Sequence, residues 1–143
     1  MDETWIGETD FRRKIWRPRG EILSLPERTV NPRISMITAI DTEGLVYLSL
    51  TQVNTDNTVM QLYLSKLAML LDGQRKGWRN DTVLMLDGAK YHTSDSTLQL
   101  MRALEIPVIF TGPYGYDGSP IELFFAYFKN QHINPQGNPT GKK

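Results

Sequence analysis

The chain has 143 residues, no cysteine and a formal net charge of zero, and 40% of its residues are hydrophobic. These values are typical of one globular domain, and the lack of cysteine excludes disulfide bonds and thiolate metal sites. No apolar segment approaches the roughly 20 residues that cross a bilayer, and the acidic N-terminus is unlike a signal peptide. We therefore expect an intracellular protein without a membrane anchor.

The neutral total hides an uneven distribution of charge. Residues 1–10 carry a net charge of −4, whereas residues 11–33 carry +5. A neutral chain argues against nonspecific binding of nucleic acid, but a basic stripe is suited to a phosphate backbone. The same stripe is equally typical of a solvated strand face, so both interpretations stay open.

The first half of the chain is predicted to be mostly strands. A first strand begins at the N-terminus, and residues 11–16 form a second. Residues 33–41 and 44–50 are rich in β-formers and are joined by the short turn "DTEG", which predicts an antiparallel pair. Apolar residues then recur every three or four positions, predicting a helix of about 16 residues. Thr55 or Asp56 is its expected N-cap and Gly73 its expected end.

The second half alternates strands and helices. Residues 82–88 and 107–111 are short apolar segments that predict buried strands, the first of them parallel. A helix capped by Thr93 or Ser94 lies between them, and a last helix is expected from Ile121 to Gln131, with most of its aromatic side chains packed beneath the sheet. The fold class is therefore α/β, with a mixed sheet (an antiparallel meander plus parallel strands) flanked by helices. We expect one domain over residues 1–131 and a disordered tail over 132–143.

Three acidic residues stand out by their positions in these elements. Asp2 lies in the first strand, Asp87 ends the apolar strand "VLMLD", and Glu122 lies in the first turn of the last helix. Ligands of α/β sheets bind at the carboxyl ends of parallel strands, and a helix N-terminus stabilises an anion. Converging carboxylates repel each other unless a cation neutralises them, and Mg²⁺ prefers oxygen ligands. Taken singly, Asp87 also suits a turn and Glu122 a dipole partner, so the metal site rests on their combination.

Four motifs extend over most of the chain: "DET" at 2–4, "IWRPRGE" at 15–21, "MLDGAKYHTS" at 85–94 and "GPYGYDGSPIELFFAYFK" at 112–129. With these motifs the sequence resembles the catalytic domain of Tc/mariner superfamily transposases, which are DDE endonucleases with a ribonuclease H-like fold. There are 84 residues between Asp2 and Asp87 and 34 between Asp87 and Glu122, spacings that agree with this family.

The resemblance implies a DNA strand cleavage and strand transfer reaction that uses two Mg²⁺ or Mn²⁺ ions. Asp2, Asp87 and Glu122 would be both the catalytic residues and the metal ligands, and His92 matches the family's histidine. One ion would activate the attacking water or 3′-hydroxyl and the other would stabilise the leaving oxygen. The expected DNA-binding residues are Arg12, Arg13, Lys14, Arg17, Arg19, Lys90 and His92.

The partners implied are transposon ends and target DNA, with a homodimer as a further possibility and no small organic cofactor. Such a protein would act in the nucleus of a eukaryote, or otherwise in the cytoplasm.

The sequence also departs from the family pattern. Gly88 stands where the family has Asn, "GYDGS" at 115–119 replaces a Pro-containing loop, and the apolar half-strand expected before the first acid is missing, so that strand is expected to be clipped. These departures favour an alternative, a catalytically silent transposase remnant or a domesticated DNA- or protein-binding module. A hydrolase of another α/β fold with Asp87 as nucleophile is a third interpretation, but no phosphate-binding glycine loop or general-base partner supports it.

Overall fold

The computed structural model describes residues 1–6, 34–112 and 119–130. The predicted strand at 11–16, the loop at 113–118 and the tail at 132–143 lie outside these ranges. Three strands form an antiparallel sheet in the order β1-β2-β3, which confirms the predicted pair. Their bounds are β1 Asp2–Ile6, β2 Ile34–Asp41 and β3 Gly44–Thr51. Asp41 closes the hairpin because its Oδ1 accepts from the N–H groups of Glu43 and Gly44.

Helices and two short strands follow the hairpin. The helices are α1 Asn57–Gln74, α2 Lys90–Thr93, α3 Asp95–Ala103 and α4 Pro120–Asn130, with a 3₁₀ turn at Trp78–Asn80. The strands β4 Leu84–Leu86 and β5 Val108–Phe110 pair in parallel, as predicted. The protein is thus a mixed α/β domain, and none of the helices in the described ranges is long and apolar enough to cross a membrane.

The helix caps show how local sequence sets these boundaries. Asp56 caps α1 by accepting from the N–H of Val59 at 2.9 Å, which confirms one of the two predicted caps. Ser94 caps α3 in the same way through the N–H of Thr97. The predicted end at Gly73 is wrong, because α1 continues to Gln74 and the N–H of Arg75 still bonds to the carbonyl of Leu71.

Strand β2 is buried on both faces, and its alternation divides the core. Ile37 and Ala39 belong to a large cluster with α1 and α3, whereas Met36 packs with Ile121 and Phe125 of α4. Successive residues of a strand point to opposite faces, so Thr38 shares the α4 face with Met36. Helix α4, which carries Glu122, therefore packs on the face of the sheet that bears Met36 and Thr38.

The second strand pair is less buried than its apolar sequence predicts. Leu86 is buried, but Met85, Ile109 and Phe110 are 43%, 48% and 39% exposed. The prediction that both strands are buried is therefore wrong for β5, because its neighbouring residues Ile109 and Phe110 point to opposite faces and are both exposed. The aromatic residues of α4 follow the prediction that most of them pack inward: Phe125 is buried and Phe124 and Phe128 pack against its cluster, whereas Tyr127 is 65% exposed.

Candidate active site

The three acids lie on three different elements that meet near the start of β1. Asp2 is the first residue of β1, Asp87 follows β4 directly, and Glu122 lies in the first turn of α4. The amino group of Met1 donates to the carbonyl oxygen of Met85 at 3.0 Å, which ties the start of β1 to β4. Helix α4 packs on β2, the strand that pairs with β1.

The electrostatics of Asp2 show that these acids act on one another. Burial is the main cause that raises the pKa of Asp2 from 3.8 to about 6. The hydrogen bond from the N–H of Glu3 opposes this rise, and repulsion from Glu3, Glu122 and Asp87 contributes to it. Carboxylates that share a site without a neutralising cation are expected to hold a proton more tightly. Asp2 is therefore close enough to Glu3, Glu122 and Asp87 for their negative charges to affect its pKa.

Asp87 is held through one of its two carboxylate oxygens. Its Oδ1 lies 2.6 Å from Nδ1 of His92 and accepts from the N–H of Ala89 at 3.0 Å. Its side chain is 56% exposed, and no hydrogen bond from another described residue ends on Oδ2. A Cβ added at Gly88 would meet nothing within 4 Å, so packing in the described part of the chain does not require a glycine at this position. Hydrogen bonds to Oδ1 thus orient the carboxylate of Asp87, while Oδ2 stays available to a ligand.

His92 joins Asp87 to a second carboxylate, that of Glu3. The ring is fully buried, and its Nε2 lies 2.9 Å from Oε1 of Glu3. Tyr91 donates its hydroxyl to Oε2 of Glu3 at 3.0 Å. Burial by itself lowers the pKa of His92, but the hydrogen bonds and charges of Glu3 and Asp87 outweigh burial and raise it. Both ring nitrogens face a carboxylate, an arrangement that favours the doubly protonated imidazolium.

Glu3 is the residue of this site that sequence reasoning missed. It follows Asp2 within the motif "DET", but neighbouring residues of a strand point to opposite faces of the sheet. Asp2 therefore lies on the α4 face with Glu122, whereas Glu3 reaches α2 on the other side. The alternation of β1 was a usable signal that Glu3 and Asp2 have different partners.

The predicted DNA-binding residues fall into three groups. Lys90 is the exposed first residue of α2. His92 is buried and makes its contacts within the protein, so a contact with a phosphate would require these bonds to break. The remaining five lie outside the described residues: Arg12, Arg13, Lys14, Arg17 and Arg19.

The donor set fits a hard divalent cation in its chemistry. Asp2, Asp87 and Glu122 offer carboxylate oxygens, the ligands that Mg²⁺ and Mn²⁺ prefer. Burial and, to a smaller extent, repulsion from the other acids raise the pKa of Asp2, and a bound cation would offset both effects. In residues 1–6, 34–112 and 119–130, however, no three acidic or histidine side chains already stand close enough to hold a metal ion. Binding would therefore require the carboxylates to turn toward each other.

The raised pKa of Asp2 leads to a first prediction. In the metal-free protein the Asp2 carboxyl group should titrate near pH 6. The measurement is the chemical shift of its carboxyl carbon in a series of pH values. Because the folded-state pKa is raised, the contribution of Asp2 to the free energy of unfolding falls as pH rises from about 4 to 6. Titration near pH 4 would contradict both the burial of Asp2 and its closeness to the other acids.

The fold and these acids together define a ribonuclease H-like α/β domain with carboxylates on β1, after β4 and in the first turn of α4. The chain belongs to the DDE superfamily endonucleases, because the sequence profile of that family matches residues 1–140. This confirms the family that the four motifs indicated. No match is found among curated protein sequences.

Solved structures of the Mos1 mariner transposase share the fold. Its catalytic domain matches with a TM-score of 0.68 at 20% identity, over 94% of this chain and 58% of that one. Its paired-end complex with Mn matches with a TM-score of 0.71 at 21% identity, over 90% and 40% of the two chains. Its strand transfer complex matches with a TM-score of 0.64 at 21% identity, over 88% and 38%. This chain thus spans about 40% of the length of the chain in the paired-end complex.

Proposed function

We propose that this chain is the catalytic domain of a DNA transposase that cleaves DNA strands and joins them to a target with the help of divalent metal ions. Family membership and the shared fold support the class of protein. The observation that carries the proposal is the placement of Asp2, Asp87 and Glu122 on three separate elements that meet near the start of β1. Repulsion from Glu122 and Asp87 is among the causes of the raised pKa of Asp2, which agrees with this placement.

The three acids would have distinct roles. Two bound Mg²⁺ or Mn²⁺ ions would supply the positive charge that activates the attacking oxygen and stabilises the leaving oxygen of the scissile phosphate. Asp87 offers its free Oδ2 while Oδ1 stays fixed by His92 and Ala89. Asp2 is held in register by the pairing of β1 with β2, and Glu122 is presented by the first turn of α4.

Glu3 and His92 would maintain this arrangement from the opposite face. As an imidazolium, His92 places a positive charge beside Asp87 and reduces the repulsion between Asp87 and the other acids. Glu3 fixes the ring through Nε2, and Tyr91 fixes Glu3. These residues act through Asp87, so they are positioning residues.

Contacts to DNA would come from Lys90 and from the basic stripe that contains Arg12, Arg13, Lys14, Arg17 and Arg19. Each contact with a phosphate adds to the salt dependence of binding. The Mos1 structures include a paired-end complex and a strand transfer complex, and transposon ends and target DNA are the partners that we propose here by analogy. Assembly as a homodimer, and action in the nucleus or, in a host without one, the cytoplasm, belong to the same proposal.

The experiment is a cleavage and binding assay with matched metals. We expect nicking of DNA in Mg²⁺ or Mn²⁺ and none in Ca²⁺, whose larger radius and looser coordination do not hold an in-line geometry. Calorimetry should show Mn²⁺ binding to the wild type that is lost in Asp87→Ala. Cleavage that persists in EDTA would contradict the mechanism. Equal Mn²⁺ binding by the wild type and by Asp87→Ala would contradict the assignment of Asp87 as a metal ligand.

A second candidate is a DNA- or protein-binding module derived from a transposase and without catalysis. The observation that favours it is that no three acidic or histidine side chains in the described ranges are already placed to hold a metal ion. The same calorimetry distinguishes the two, because this candidate requires that neither the wild type nor Asp87→Ala binds Mn²⁺.

A further inference from the structure

Thr38 lies directly beside the site on the central strand. It is the partner of Asp2 in the antiparallel pairing of β1 with β2. Residues that are directly opposite in such a pair carry their side chains on the same face, with Cβ atoms about 4.5–5.5 Å apart. The hydroxyl of Thr38 and the carboxylate of Asp2 therefore share the face that packs against α4.

The hydroxyl of Thr38 is buried without a hydrogen-bond partner. Thr38 is 0% exposed, and its Oγ1 is the one buried side-chain polar atom of the described residues for which no partner is present. Thr97 is equally buried, but its hydroxyl accepts from Ser94 at 2.9 Å. Buried polar atoms are nearly always paired, so an exception calls for an explanation, such as an ion or a group that moves.

We propose that Thr38 is a positioning residue that donates a hydrogen bond to the Asp2 carboxylate when a divalent cation is bound. The inference rests on the proposed function and extends it to a residue outside the three acids. Oδ1 of Asp2 accepts from the N–H of Glu3 at 2.7 Å, and no described residue donates to Oδ2. Carboxylates that coordinate metals are oriented by such outer hydrogen bonds, whose loss weakens metal affinity about 10–100-fold.

The test is Thr38→Val, which keeps the shape of the side chain and removes the hydroxyl. Because no bond is lost in the metal-free protein, its melting temperature should stay the same or rise by roughly 2–4 °C. The affinity for Mn²⁺, measured by calorimetry, should fall by about 10-fold or more. Thr38→Ser keeps a donor and should retain an affinity close to that of the wild type.

Thr97→Val is the matched control, because it removes an equally buried hydroxyl that has a partner. It should lower the melting temperature and leave Mn²⁺ affinity unchanged. If Thr38→Val binds Mn²⁺ like the wild type, or lowers the metal-free melting temperature as Thr97→Val does, the role of Thr38 is wrong while the proposed function stands. A wild type that binds no Mn²⁺ would instead overturn the proposed function and this inference with it.

Discussion

Replacing Asp87 by Asn is expected to abolish metal-dependent DNA cleavage while the fold is kept. Asn retains the volume and an Oδ1 that still accepts from Ala89 and His92, but it removes the charge that faces a cation through Oδ2. Loss of several kcal/mol of charge stabilisation corresponds to at least about 10³-fold in rate. The Asp87 side chain is 56% exposed, so the free energy of unfolding should change by less than about 1 kcal/mol.

Two measurements accompany this substitution. Cleavage of a DNA substrate in Mn²⁺ gives the rate, and urea denaturation gives the free energy of unfolding. The pKa of Asp2 should also fall in the variant, because repulsion from Asp87 is one of the causes that raise it. If Asp87→Asn leaves cleavage intact, Asp87 is a turn residue, and the proposed site is wrong.

Replacing Glu3 by Ala is expected to produce the largest loss of stability of any change near the site. Glu3 has a side chain that is only 7% exposed, and its partner His92 is fully buried. Removing one member of a buried ion pair typically destabilises a protein by about 3–5 kcal/mol. Here the loss of Glu3 would leave Nε2 of His92 and the hydroxyl of Tyr91 without their acceptor, although Asp87 would still face Nδ1. The measurement is the free energy of unfolding in urea at pH 6.

Glu3→Gln is the matched control, since the amide keeps the size and can still bond to the ring. The loss should be smaller, about 1–2 kcal/mol, because a charge-assisted bond becomes a neutral one. If Ala and Gln destabilise equally and by less than about 1 kcal/mol, the buried bridge does not form in solution.

The same pair predicts how stability depends on pH. The pKa of His92 is raised above its usual 6.5, so the folded state binds more protons than the unfolded state between 6.5 and the folded-state pKa. The contribution of His92 is therefore fully present below about pH 6.5 and is lost as pH rises through the folded-state pKa, at up to about 1.4 kcal/mol per pH unit. Glu3→Gln should flatten this slope.

The sequence by itself determined the elements and the placement of three acids upon them. The turn after Asp41, the caps Asp56 and Ser94 and the apolar strand before Asp87 are local features, decided by residues within four positions of each other. A strand end and a helix N-terminus are recognisable in the same way. The ribonuclease H-like class could therefore be predicted from pattern and motif.

Only the tertiary structure decided which side chains complete the site. Glu3 meets His92 across 89 positions of the chain, and Thr38 meets Asp2 through strand register. Periodicity shows which face a residue occupies, but it does not show which distant element covers that face. The exposure of β5 has the same origin, because an apolar strand is buried only where another layer packs on it. Long-range packing sets the burial, the partner and the pKa of each group, and no local pattern contains that information.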